Sequence, residues 1–159
     1  MSAKIGIIMG SKSDLEVMQT ASDVLKEFDI EHEVRIVSAH RTPDEMNEYA
    51  EKARERGIKV IIAGAGGSAH LPGMTASHTT LPVLAVPIKK NPHDHEALWS
   101  NIKMPPGVPL ATMPENGAKN AALMAIEILA VQDDGLLKKY EQFRKSQHDQ
   151  VLEDDRAIQ

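Results

Sequence analysis

At 159 residues the chain is long enough for one domain with a continuous apolar core, and its 42% apolar and 26% charged content is that of a globular protein, not a disordered or fibrous one. A formal net charge of −5 argues against a general nucleic-acid binder, which needs basic surface to neutralise phosphates, and the absence of cysteine excludes disulfides, thiolate metal sites and a cysteine nucleophile. No apolar run approaches the roughly 20 residues of a membrane helix, and the first residues run straight into an apolar strand with no signal-peptide organisation, so a cytoplasmic protein with no membrane partner is expected.

Aromatic residues make up only 3% of the chain, so Val, Ile, Leu, Met and Ala must fill the core. Ile5 to Met9 reads as a buried strand feeding the turn Gly10-Ser11-Lys12-Ser13. From Asp14 onward Leu15, Met18, Ala21, Val24, Leu25 and Phe28 return at helical spacing. Val34 to Val37 repeats the strand signal. Thr42-Pro43-Asp44-Glu45 predicts a helix start, with a capping hydroxyl, proline in the first turn and acids near the positive dipole end, and the helix is expected to run to about Arg56 with Gly57 as its stop. Lys59 to Ala63 is a third strand, followed by a loop from Gly64 to Met74. Val83 to Val86 is a fourth strand, a stretch near Val108 to Ala111 a fifth, and Ala118 to Val131 a helix.

Residues 133 to 159 form a C-terminal helical extension in which Leu136, Leu137, Tyr140, Phe143 and Val151 are a sparse stripe among charges, with Glu153 to Arg156 expected to be frayed or exposed. Neither an internal repeat nor a low-complexity linker is present, so residues 1 to 159 read as a single domain. Strands alternating with helices imply parallel strands joined by right-handed crossovers. The expected fold is a three-layer α/β sandwich with a central parallel sheet, flavodoxin-like or Rossmann-like.

In such a sheet ligands bind beyond the carboxyl ends of the strands, where three loops fall. The first, Gly10 to Asp14, offers amides, two hydroxyls and a helix N-terminus suited to phosphate or a hydroxyl-rich ligand, against the plainer reading that Ser13 or Asp14 caps the helix. It lacks the spacing of a P-loop or a dinucleotide site. The second, Ser38 to Pro43, places a hydroxyl, the imidazole of His40 and the guanidinium of Arg41 together: Arg41 suits phosphate or carboxylate, and histidine trades protons near neutral pH. The third has four glycines in ten residues, so its backbone can approach a ligand, and His70 within it is either a second polar contact or a histidine bonded to its own loop.

His93 and His95 invite a metal reading, but no partner ligands are identifiable and the stretch also reads as an acidic helix start, so no metal is expected. His32, His78 and His148 have no supporting context.

The three loops together resemble the PurE family of purine biosynthesis. MGSKSD (Met9 to Asp14), SAHRTP (Ser38 to Pro43) and GAGGSAHLPGM (Gly64 to Met74) match its signatures in order and spacing, and the likeness continues through LPVLAVP, MPPGVPLAT and GAKNAAL, covering most of residues 4 to 130. The loop types are similar to those of the bacterial class, which moves carboxylate from N5-carboxyaminoimidazole ribonucleotide to ring carbon C4. The resemblance implies His40 as general acid and base, phosphate at Ser38 and Arg41 with help from the first loop, ribose hydroxyls at Asp14, and the base between His40 and the glycine-rich loop. Ser11, Ser13, Gly66, Gly67 and His70 are implied as further binding contacts. It also implies a ribonucleotide substrate, no cofactor, and a symmetric homo-octamer with shared active sites.

Two segments depart from the family pattern: Lys89 to Trp99, and Met113 to Gly117. Pro92 to Glu96 is expected at the pocket rim, with His93 or His95 near the substrate or a neighbouring subunit, the alternative being a solvated cap. Two other functions remain open on sequence alone: a carboxylase of aminoimidazole ribonucleotide that takes carbon dioxide directly, and a non-catalytic ribonucleotide-binding module.

Overall fold

The computed structural model describes residues 4 to 159. Its framework is a sheet whose strands all run in one direction, in the order β2-β1-β3-β4-β5. The strands are β1 (Ile5–Met9), β2 (His32–Ile36), β3 (Val60–Gly66), β4 (Val83–Ile88) and β5 (Ala111–Thr112). This is the flavodoxin-like member of the expected pair, with the order reversing between β1 and β3. Helices α1 (Leu15–Glu27), α2 (Pro43–Lys52), α3 (Leu71–His78) and α4 (Glu96–Ile102) fill the connections, and α5 (Ala118–Ala130) and α6 (Asp134–Ala157) follow.

The central strands are buried on both faces, which is why they read as continuous apolar runs and not as alternation. Ile8, Ile61, Ala63 and Val83 pack with Met46 and Tyr49 of α2 and Leu71 of α3. On the opposite face Met18 of α1 reaches Gly64, where a Cβ would lie 2.3 Å from its sulfur. A similar fit operates at Gly6, whose absent Cβ leaves room for the Tyr49 hydroxyl. Burial pushes the Tyr49 phenol well above its ordinary pKa, and Arg56 lies over the ring at 4.8 Å while pairing with Glu33 at 2.9 Å.

Several boundaries differ from the sequence expectation. β2 begins two residues early because His32 is anchored, Nε2 to Ser22 Oγ of α1 at 2.7 Å and Nδ1 to the Ile30 carbonyl at 2.8 Å. Gly64 and Gly66 are paired residues of β3, not loop. The expected third loop also contains the start of α3, a helix hidden in the sequence by Pro72 and Gly73. Proline is tolerated in a first turn, whose amides have no intrahelical partner, and a Cβ at Gly73 would lie 3.2 Å from Met104 Sδ. α2 stops at Lys52 and gives way to turns through Gly57. β5 is two residues long and begins only at Ala111, because Pro109 removes a ladder donor from the stretch before it.

The chain divides into two compact units within α5, one ending at Ala125 and the other running from Ile126 to Gln159. In the second, Asp133 caps α6 by accepting from the Leu136 amide at 2.9 Å, and Tyr140 donates to Glu127 at 2.6 Å. Glu153 to Arg156 are exposed, one of the two expected outcomes, and belong to the helix. No helix among the described residues is long and apolar enough to cross a membrane.

The fit at Gly6 predicts the effect of one methyl group. A Cβ at position 6 would lie 2.1 Å from the Tyr49 oxygen, so Gly6→Ala is expected to lower unfolding stability by about 1–3 kcal/mol, as overpacking does. Adding Tyr49→Phe, which removes that oxygen, should restore part of the loss. Urea denaturation of the single and double variants checks both expectations.

Candidate active site

Parallel pairing puts Met9 beside Ile36 and Gly64, and Gly66 beside Ile88, so the chain leaves β1, β2, β3 and β4 at one edge of the sheet. The loops there enclose a cavity of about 430 Å³. Of the residues expected at the site, Ser11, Asp14, Ser38, His40, Arg41, Gly66 and His70 all line it. Ser13 and Gly67 adjoin the lining: Ser13 Oγ is bonded to Ser11 Oγ at 3.1 Å, and Gly67 sits between the lining residues Gly66 and Ser68. Gly67 has φ +62°, a left-handed turn that favours glycine.

The second loop is built around Ser38. Its hydroxyl accepts from Arg41 Nε and from the Arg41 amide, both at 3.2 Å. The Thr42 hydroxyl does not cap α2 as expected; it accepts from the Ser38 amide at 2.8 Å and tightens the loop instead. Arg41 Nη2 donates to the Gly10 carbonyl at 2.6 Å, which ties the second loop to the first. The guanidinium is thereby oriented before any ligand arrives, with donors to spare.

Asp14 does not cap α1 by its side chain either. The residue is only 2% exposed and its Oδ1 lies 3.3 Å from Lys90 Nζ, within ion-pair range, yet accepts no well-directed hydrogen bond among the described residues. A buried carboxylate oxygen with an open acceptor position at a cavity wall suits a hydroxyl donor on a ligand.

His40 and His70 meet across the cavity. His40 Nε2 lies 2.7 Å from His70 Nδ1, with the rings edge to face at 4.8 Å between centroids. A bond between two ring nitrogens needs one donor and one acceptor, so the pair shares a proton. His70 is therefore bonded to the other histidine and not to its own loop. The loop itself is held from outside, by Ser68 donating to Glu96 of α4 at 2.9 Å and by Asn101 donating to the Ala69 carbonyl at 2.9 Å.

Lys90 is a charged lining residue that sequence reasoning does not single out, because it lies in a segment without family signatures and only the pairing of β4 with β3 brings it beside Asp14. His93 and His95, by contrast, are not in the lining. Asp94 accepts from the Glu96 amide at 2.8 Å as a helix cap, and His95 Nδ1 pairs with Glu115 at 2.8 Å. Lys89 Nζ also reaches Glu115, at 3.3 Å. The two segments that depart from the family pattern thus bind one another. Asn116 completes the joint by accepting from the Lys89 amide at 2.9 Å and donating to the Lys89 carbonyl at 3.4 Å. Among the described residues no group of three or more His, Asp and Glu is placed to hold a metal ion.

The cavity at the switch point of this parallel α/β sheet brings together serine hydroxyls, an oriented guanidinium and two hydrogen-bonded histidines, groups whose chemistry suits an anionic ligand and proton transfer. A family model described as AIR carboxylase matches residues 4–150. The N5-carboxyaminoimidazole ribonucleotide mutase of Bacillus subtilis is 54% identical over 96% of this chain and 96% of its own length. That of Aquifex aeolicus is 58% identical over 87% and 84% respectively. A crystal structure of Treponema denticola PurE superposes with a TM-score of 0.90 at 28% identity, covering 98% of each chain. The chain belongs to the AIR carboxylase family, also called PurE.

The joint between the divergent segments has a defined pH dependence. Desolvation opposes ionisation of Glu115, but hydrogen bonds from His95 and Lys89 outweigh it and hold the carboxyl below its ordinary value. A depressed carboxyl contributes stability that is present above the unfolded pKa, roughly 4.3 for glutamate, and is lost as pH falls through the folded one. Glu115→Gln is therefore expected to lower the melting temperature at pH 7 and to converge with the unsubstituted protein as the buffer is taken below pH 4, roughly the carboxylate range. Scanning calorimetry of the two proteins across that range checks the sign.

Proposed function

We propose that the chain is an N5-carboxyaminoimidazole ribonucleotide mutase, an isomerase of purine biosynthesis that moves carboxylate from the exocyclic nitrogen to C4 with His40 as general acid and base. The observation that carries the reading is the His40 to His70 contact at 2.7 Å, which puts a proton-sharing pair in a cavity that also holds oriented anion-binding groups.

The reaction needs one proton in and one proton out. Breaking the N–C bond of the N5-carboxylate releases carbon dioxide and leaves its electron pair on the exocyclic nitrogen, which takes a proton from His40. C4 then attacks the trapped carbon dioxide, and the C4 hydrogen returns to the same ring. Atoms and charge balance over the cycle, and one imidazole performs both transfers. His70 orients the His40 ring through their shared hydrogen bond, and enclosure by the loops limits escape of carbon dioxide.

Binding follows from the same geometry. Ser38 and Arg41 take the phosphate with the hydroxyls of Ser11 and Ser13, Asp14 takes ribose hydroxyls, and Gly66 and Gly67 let the backbone approach the base. A symmetric homo-octamer is the proposed assembly; exposed Val34 and Ile36 on the edge strand, together with Trp99 and Ile102 of α4, supply apolar surface for it.

His40→Asn should abolish turnover of the carboxylated ribonucleotide while binding stays measurable, since an amide hydrogen-bonds but does not exchange protons at neutral pH. Turnover near that of the unsubstituted protein would remove His40 from the mechanism. Arg41→Ala should instead cost about 1.5–3 kcal/mol of ribonucleotide affinity, the worth of one charged hydrogen bond, read by titration calorimetry.

A further inference from the structure

One cation in the cavity has no part in the chemistry above. Lys90 follows β4, lines the cavity, and places Nζ 3.3 Å from Asp14 Oδ1 and 3.1 Å from Ser13 Oγ, to which it donates. A lysine paired with a surface acid contributes little, because both groups stay solvated. Here the acid side chain is 3% exposed while that of the lysine is 57% exposed. The ammonium therefore covers a buried charge from the open side and, with three N–H donors of which one goes to Ser13, keeps donors for a ligand.

The position of Lys90 is fixed by its surroundings. Its Cε lies 3.2 Å from where a Cβ on Gly66 would stand, so the stem runs through space that glycine leaves open. The residue before it is clamped at both backbone groups by Asn116 and at its ammonium by Glu115, which also holds His95. The backbone entering Lys90 is thereby fixed, and its ammonium is placed by Ser13 and Asp14, which lowers the freedom left to lose on binding.

Electrostatics gives the preorganised charge a purpose. Asp14 carries a negative charge beside the serine hydroxyls of the first loop, where it would repel an anionic ligand. Lys90 cancels that charge and adds a donor next to Ser13. We infer that Lys90 is a substrate-binding residue whose ammonium donates to a phosphate oxygen of the ribonucleotide beside Ser13, supplied by a segment outside the family's signature loops. The inference rests on the ribonucleotide reading above for the identity of the ligand.

Calorimetric titration of ribose 5-phosphate, aminoimidazole ribonucleotide and the corresponding ribonucleoside into the unsubstituted protein, Lys90→Met, Asp14→Asn and the double variant tests it. The double variant removes both charges, so no unpaired buried carboxylate can unfold it. Lys90→Met is expected to weaken both phosphorylated ligands by about tenfold or more, the loss of one charged hydrogen bond, to leave the ribonucleoside unchanged, and to have the same effect in the Asp14→Asn background. Equal weakening of ribonucleotide and ribonucleoside, or an effect that vanishes once Asp14 is neutral, would show that Lys90 serves only Asp14 and overturn the assignment. Unchanged affinity for ribose 5-phosphate and aminoimidazole ribonucleotide would place the ammonium away from the phosphate and overturn it as well. If the unsubstituted protein binds ribose 5-phosphate but fails to isomerise the carboxylated ribonucleotide, the mutase reading falls, and the ribose 5-phosphate titrations still decide the role of Lys90.

Discussion

Parallel pairing in register is the constraint from which the site follows. Because β1 pairs with both β2 and β3, and β3 with β4, all with the same polarity, four chain segments must leave the sheet on one side, each about 4.8 Å from its neighbour. Residues separated by 30 positions in sequence, such as His40 and His70, then meet at hydrogen-bond distance. Nothing local to either loop would hold them there. The buried apolar pairs of the strands, Ile7 with Ile62 and Ile62 with Leu84 among them, are in this sense the support on which the polar edge is mounted.

That edge is polar but not loose. Ser38, Thr42 and Arg41 form a closed set of hydrogen bonds that reaches across to Gly10, and the glycine-rich turn is held to α4 through Ser68 and Asn101. Each loop is stapled to a neighbour, so the cavity owes its shape to contacts between segments and not to the conformation of any one of them. This is how a chain with so few aromatic residues holds the polar groups of its cavity in place: small side chains let the backbones approach, and hydrogen bonds then fix the approach.

Much of this arrangement is legible in the amino-acid sequence, and the reason is physical. A strand buried on both faces has no choice but to be apolar throughout, so β1, β3 and β4 announce themselves, and the loops that follow them are the places where serine, histidine, arginine and glycine concentrate. Legibility fails where tertiary contacts override local pattern. α3 forms despite Pro72 and Gly73 because the first takes an orphan position and the second is crowded by Met104. β2 starts early because His32, a histidine without context in the sequence, is bonded on both ring nitrogens. Lys90 is a further such case, since no periodicity or spacing relates it to Asp14, and the link exists only across the sheet edge. The partnership of Lys89 and His95 with Glu115 is hidden for the same reason: each segment looks like an isolated departure, whereas the fold makes them halves of one structure.

The bare α-carbon of Gly66 carries a consequence for how such chains diverge. A methyl group there would meet the Lys90 stem at 3.2 Å and the Ile88 carbonyl at the same distance, so residues 66 and 90 occupy a shared volume. A side chain gained at 66 displaces the stem at 90 by a few tenths of an ångström or more, so a long cation at 90 is best accommodated by glycine at 66. Asp14 enters the same exchange, because its burial is tolerable only while an opposite charge is near. Three positions at one edge of the sheet are thus coupled, and sequence divergence around this cavity should move in concerted steps.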